Sequence, residues 1–140
     1  MKIALKEAKK AYKINEVPIG CVIVKNNKVI AKTHNLKERK KSSLYHAELL
    51  AIKKSSKKIK NWRLLDCEIY ITMQPCPMCA SAIKQSRIKK IYYGIENENN
   101  KISNQILYEN DINEKIEVIP HILEKECKEI VQKFFEKQRK

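Results

Sequence analysis

Small and apolar residues recur at helical spacing near the start of the chain. Ala4, Ala8, Ala11 and Tyr12, with lysines between them, predict an amphipathic helix over residues 3–15. Val17-Pro18-Ile19-Gly20 breaks that pattern, since proline and glycine both oppose helix continuation. The apolar runs Cys21-Val22-Ile23-Val24 and Val29-Ile30-Ala31 flank Asn26-Asn27, which predicts a β-hairpin. Residues 35–43 are polar and basic and read as a loop. From 46 to 58, Ala47, Leu50 and Ala51 share one helical face, broadened by Leu49 and Ile52. Residues 68–73 form a β-rich run that ends at Pro75. A helix is predicted over 79–86, and a strand over 88–93 that Gly94 stops. The Asn-rich segment 97–104 carries no clear period, and a strand is expected at 116–119. A last helix over 122–137 turns Leu123, Cys127, Ile130, Val131, Phe134 and Phe135 to one side.

This alternation predicts an α/β fold with helices on both faces of a sheet. The passage through residues 76–86 would be a right-handed crossover if the strands on either side are parallel neighbours. The chain shows no internal repeat and no linker rich in Gly, Pro or Ser, so a single domain over 1–140 is expected.

Composition changes this picture in two places. The hydrophobic share of 43% suffices for a core, while 30 Lys and Arg against 16 acidic residues give a net charge of +14. Such a cation is drawn to polyanions, nucleic acid first. The excess is nearly all lysine spread along the chain, with arginine only at Arg39, Arg63, Arg87 and Arg139, which is also what a solvated surface would carry. The first residues lack a signal-peptide apolar run, and no later stretch would span a bilayer. The 5 cysteines are an odd number, two of them spaced C-x-x-C. Reduced thiols, metal binding and a cytoplasmic location are therefore expected.

Two short segments carry the chemistry: His46-Ala47-Glu48 and Pro75-Cys76-Pro77-Met78-Cys79. Zinc favours thiolate and imidazole, and a catalytic site uses three protein ligands with the fourth position left to water. Cys76 and Cys79, three apart, lie on one face of a helical turn and would share a metal. A helix starting there lowers the thiol pKa, and Pro77 suits a first turn that does not use its N–H. His46 and Glu48 at another helix start can reach the same place, and Glu48 need not bind the metal but can stand beside its water. Alone, the C-x-x-C would equally suit half of a structural zinc site or a redox dithiol. The structural site needs a fourth ligand, yet Cys21, Cys67, Cys127, His34 and His121 each lack a ligand-type neighbour. The redox reading gives H-A-E no role. H-x-E followed by P-C-x-x-C is a known signature of zinc nucleobase deaminases.

With these motifs the chain resembles the bacterial tRNA-specific adenosine deaminase family of the cytidine-deaminase-like superfamily. The resemblance runs through Glu16-Val17-Pro18-Ile19-Gly20, Asn35, His46-Ala47-Glu48, Asn61-Trp62-Arg63-Leu64, Pro75 to Cys79, Ser86-Arg87-Ile88, Gly94 and Phe134-Phe135. It implies a three-layer α/β/α sandwich with a central mixed five-stranded sheet, a homodimer, and one zinc per subunit. It implies conversion of adenosine to inosine at the tRNA wobble position, with an arginine tRNA anticodon loop as partner. By position, His46, Cys76 and Cys79 would hold zinc. Zinc-bound hydroxide would attack C6 while Glu48 shuttles the proton, and Asn35, Ala47 and Pro75 would contact the substrate. Lys37, Arg39, Lys40 and Lys41 are candidates for phosphate contact, and Phe134 and Phe135 for the RNA, although apolar packing suits one of those rings as well. Gln74 stands where the family usually has Glu, Tyr45 and Ser81 replace small residues, and Asn97 falls where Asp is usual. The Lys-x-Gly-Ala that normally follows is absent. A free-base or nucleoside deaminase acting on guanine, cytosine or adenine is the alternative within the same chemistry. A non-catalytic RNA- or protein-binding module with structural zinc is the alternative outside it.

Overall fold

Asn26 and Asn27 both take a left-handed φ, 49° and 64°, and turn the chain between β1 (Gly20–Lys25) and β2 (Lys28–His34). Positive φ at both turn positions matches the twist of the flanking strands, so the hairpin forms where the sequence predicts it. The computed structural model describes residues 1–109 and 115–139. Its other elements are α1 (Lys2–Lys13), α2 (Lys37–Lys40), α3 (Ala47–Ile59), β3 (Cys67–Met73), α4 (Pro77–Gln85), β4 (Lys90–Ile95), α5 (Lys101–Tyr108), β5 (Glu117–Ile119) and α6 (Glu124–Gln138). The sheet order is β2-β1-β3-β4-β5. β1 is antiparallel to both β2 and β3, whereas β3, β4 and β5 run parallel. This is the expected mixed five-stranded α/β sandwich.

Alternating strand residues divide the layers. Cys21, Ile23, Ile69, Ile71, Ile91 and Tyr93 point to the main core, where Ala47 and Ala51 of α3, Ala80 and Ile83 of α4 and Leu107 of α5 meet them. Helices α1 and α6 cover the other face, and each is seated on a glycine. A Cβ on Gly20 would strike the carbonyl oxygen of Ala4 in α1 and lie 2.6 Å from the Ala8 nitrogen. A Cβ on Gly94 would strike the Cys127 sulfur of α6 and lie 2.6 Å from the Thr72 carbonyl oxygen. The chain has only 2 glycines, and each lets a helix backbone or side chain approach the sheet.

Four details differ from the sequence reading. Gly94 lies inside β4 instead of ending it, because its role is to admit α6. Helix α4 begins at Pro77, since Cys76 already caps it. The basic loop contains the short helix α2. The segment after Asn100 folds as α5, which buries Ser103 and Leu107. The buried Lys84 ammonium donates to the carbonyls of Ile106 (2.8 Å) and Glu109 (2.7 Å) at the end of α5, supplying partners to exposed helix carbonyls.

Candidate metal and active site

Two helix starts meet at one corner of the sandwich. His46 caps α3 with extended backbone (φ −74°, ψ 146°), and Cys76 caps α4 in the same way (φ −66°, ψ 169°). Pro77 fills the first position of α4, where a missing N–H costs nothing, and Cys79 follows in the same turn. The His46 Nδ1 lies 3.5 Å from the Cys79 sulfur and 3.8 Å from the Cys76 sulfur. All three ligand atoms fall within 4.8 Å of one another. Nitrogen and sulfur ligands at ordinary zinc distances with a tetrahedral angle between them stand about 3.6 Å apart, so the donor set fits zinc.

The electrostatics of the corner favour a cation. A hydrogen bond from Cys79 holds the Cys76 thiol down, to about 4; burial opposes this and His46 reinforces it. Cys79 is pushed up, first by that same bond to the Cys76 sulfur and then by burial and the Glu48 charge. One sulfur thus ionises readily, and the second thiolate needs a positive charge between them. Bonding to Cys76 raises the His46 pKa in spite of burial. Glu48, in the first turn of α3, is only 4% exposed. Burial raises its pKa most, against its own backbone N–H and the His46 charge. A carboxyl held toward neutrality beside a metal corner is suited to taking and giving a proton.

The other expected residues surround this corner in different ways. Asn35 follows β2 and is buried; its N–H donates to the Ile19 carbonyl (3.1 Å) and its Oδ1 accepts from the Lys37 N–H (3.3 Å). Ala47 is fully buried and its carbonyl accepts from the Thr33 hydroxyl at 2.7 Å. Its N–H belongs to the first turn of α3, where no intrahelical acceptor exists. Pro75 is buried between Gln74 and the capping Cys76. Lys37, Arg39, Lys40 and Lys41 are all exposed. The 1% exposed Glu16 carboxylate fixes their backbone by accepting from the N–H groups of Glu38 (3.0 Å) and Arg39 (2.7 Å).

Phe134 is a correction. Its ring is 6% exposed and meets Tyr12 of α1 edge-on at 6.5 Å, so it packs the α1–α6 seam and offers no face to a ligand. Phe135 remains 44% exposed. It lines a cavity of about 840 Å³ with Val17, Met73, Asn97, His121 and Arg139. His46, Glu48, Cys76 and Cys79 do not line that cavity. Sequence reasoning missed the supporting role of Glu16 and the contacts of Gln74 with Asn97 and Asn104. Only the departure at Gln74 hinted at the latter.

The deaminase signature and this geometry agree with the comparisons. The chain belongs to the MafB19-like deaminase family, whose profile matches residues 1–139. Within that class it is similar in sequence over its full length to tRNA-specific adenosine deaminases. It is 42% identical to the tRNA-specific adenosine deaminase of Bacillus subtilis (strain 168), over 100% of this chain and 89% of that protein. A solved structure from work on A-to-I editing by tRNA:A34 deaminases superposes with a TM-score of 0.86 at 32% identity. That match covers 93% of this chain and 96% of the other. Guanine deaminase from Bacillus subtilis is similar over less: TM-score 0.65 and 35% identity across 68% of this chain and 61% of that one.

Proposed function

We propose that this chain is a zinc-dependent hydrolytic deaminase that converts adenosine to inosine at the wobble position of tRNA. The observation that carries the reading is the convergence of His46 Nδ1 and the Cys76 and Cys79 sulfurs beside the buried carboxyl of Glu48. His46, Cys76 and Cys79 would hold one zinc per subunit. When bound, zinc supplies Lewis acidity that activates water at neutral pH. Glu48 takes a proton from that water and places it on the purine ring nitrogen as oxygen adds to C6. It then takes the second proton from the new C6 hydroxyl and gives it to the departing amine, so adenosine and water give inosine and ammonia. Asn35, with its Oδ1 committed to Lys37, offers its amide nitrogen to the substrate, and Ala47 and Pro75 form its buried surroundings. An anticodon loop presents bases that unstack at low cost.

RNA is favoured over a free base by full-length similarity to the tRNA enzymes, by the exposed cations at Lys37, Arg39, Lys40 and Lys41, and by Phe135. The likeness to the Bacillus subtilis guanine deaminase covers a smaller share of both chains. The guanine deaminase of Nitrosomonas europaea, similar over 95% of this chain, is only 16% identical and shares the fold alone. A homodimer in the cytoplasm, acting on an arginine tRNA, completes the proposal. Among the described residues no helix is long and apolar enough to cross a membrane. Incubation of the purified protein with arginine tRNA carrying adenosine at the wobble position is expected to yield inosine. Activity confined to free bases or nucleosides would overturn the RNA reading in favour of the small-molecule alternative.

A further inference from the structure

We propose that Gln74 is a positioning residue: its buried carboxamide pairs with Asn104 to hold the cavity rim at a fixed place relative to the ligand turn. The functional consequence rests on the reading of this site as an RNA deaminase.

Gln74 follows the last residue of β3 and stands two positions before Cys76. Its backbone N–H donates to the Ile95 carbonyl at 2.8 Å, extending the β3–β4 pairing by one step. Its side chain then makes two further bonds while only 2% exposed. The Oε1 accepts from the Asn97 N–H at 3.2 Å, and the Nε2 donates to the Asn104 Oδ1 at 2.6 Å. Asn97 is fixed a second time, because its own Oδ1 accepts from the Asn99 N–H at 3.2 Å. Asn97 and Asn99 both line the large cavity, and Asn104 lies in α5. One buried amide therefore ties three pieces together: the turn that carries Cys76, the rim, and the helix behind it.

Nothing in the deamination chemistry needs this link, since Glu48 and the ligands stand on α3 and α4. The link requires a side chain with an acceptor at one end and a donor at the other. Leucine matches glutamine in size but leaves the Asn97 N–H and the Asn104 oxygen without partners, a loss felt strongly in a buried site. Glutamate keeps the acceptor for Asn97, and Asn104 can rotate its amide to donate in return. Aspartate at 104 likewise accepts from Gln74. Only the double change Q74E/N104D sets two acceptors face to face. The pair therefore has a recognisable mutational pattern: each conservative single change is tolerated, and the combination is not.

The test is steady-state deamination of the wobble-adenosine tRNA by the zinc-loaded protein, together with amide hydrogen exchange in the absence of RNA. Q74L and Q74E/N104D are expected to raise KM about tenfold, with kcat within about twofold and zinc content unchanged. Q74E and N104D alone stay near wild type. Exchange at the Asn97 N–H speeds up in Q74L and in the double variant only. Unchanged KM and unchanged Asn97 protection in Q74L would overturn the proposal, as would additive behaviour of the two single changes. Loss of kcat in step with lost zinc would overturn it too, because the ligand turn and not the rim would then have moved. If Q74L does not fold, the two singles and their combination still separate a coupled pair from two independent residues. Failure of the wild type on tRNA would refute the RNA reading, while the exchange rates would still test the clasp.

Discussion

At the ligand corner, His46 and Cys76 each cap a helix with extended backbone, so the helix start beside each motif aims its side chain. At the cavity rim, Asn97 takes its place from Gln74, 23 residues earlier in the chain, and Phe135 from a helix seated on Gly94. One region is built by local rules at helix starts and the other by contacts between distant segments. The first is tolerant of changes elsewhere in the fold. The second depends on how the layers are spaced.

The largest expected effect breaks the corner and leaves the rim alone. Glu48→Gln should retain zinc by metal analysis and lose about 10³-fold in kcat, because a carboxamide cannot shuttle a proton. Loss of zinc in that variant would mean Glu48 is a ligand. Cys79→Ser or prolonged chelation should remove both metal and turnover. The converse change lifts the rim and spares the corner. Gly94→Ala forces a methyl against the Cys127 sulfur and the Thr72 carbonyl, at a cost of about 3 kcal/mol in denaturant unfolding. Zinc content should persist while RNA affinity falls, since α6 carries Phe135 and Arg139 follows it on the same cavity wall. Unaltered stability would show that α6 does not bear on the sheet at Gly94.

The same contrast explains what the chain discloses without coordinates. The hairpin at Asn26-Asn27, the helix after His46 and the strand before Pro75 are visible because apolar period and turn residues agree over short spans. The ligand set is visible because both motifs sit at helix starts, where spacing fixes direction. Helix α5 escapes because Asn97, Asn99 and Asn100 before it and Asn104 within it make a short segment read as a polar loop, and Lys84 and Gln74, far off in sequence, supply partners to it. Gly94 reads as a strand end because glycine more often stops a strand than admits a helix to it. Phe134 and Phe135 are neighbours of one type, and only the position of α1 decides which ring is buried.

Those two rings give a sharper version of the contrast. Phe134→Ala should cost about 3 kcal/mol of stability by opening the α1–α6 seam. Phe135→Ala should cost less, about 1 kcal/mol, because its ring is 44% exposed and rests edge-on against Phe134 at 5.4 Å. It should nevertheless weaken RNA binding about tenfold if a base stacks on that ring. Titration of both variants with tRNA at fixed salt separates the roles, and equal effects on affinity would show that the rim does not read RNA through Phe135.

The smallest effect concerns the support beneath Asn35. Glu7 of α1 is buried and accepts from Lys10 (2.7 Å) and from the His34 Nδ1 (3.0 Å), tying α1 to the end of β2. Burial alone pushes its pKa up, but the hydrogen bonds from Lys10 and His34 and their charges together hold the carboxyl below its ordinary value. The unfolded chain therefore binds more protons than the folded one between the depressed pKa and the usual carboxylate value of about 4.3. The stability Glu7 contributes is complete above that upper value and drains away as the pH falls through the folded pKa. Glu7→Gln should cost about 1 kcal/mol near neutrality and make the acid limb of the stability profile shallower. Thermal unfolding followed from about pH 3 to pH 7 measures both. An acid limb as steep as that of the wild type would show that the Glu7 carboxylate does not hold β2 to α1, leaving Asn35 to be placed by Ile19 and Lys37 alone.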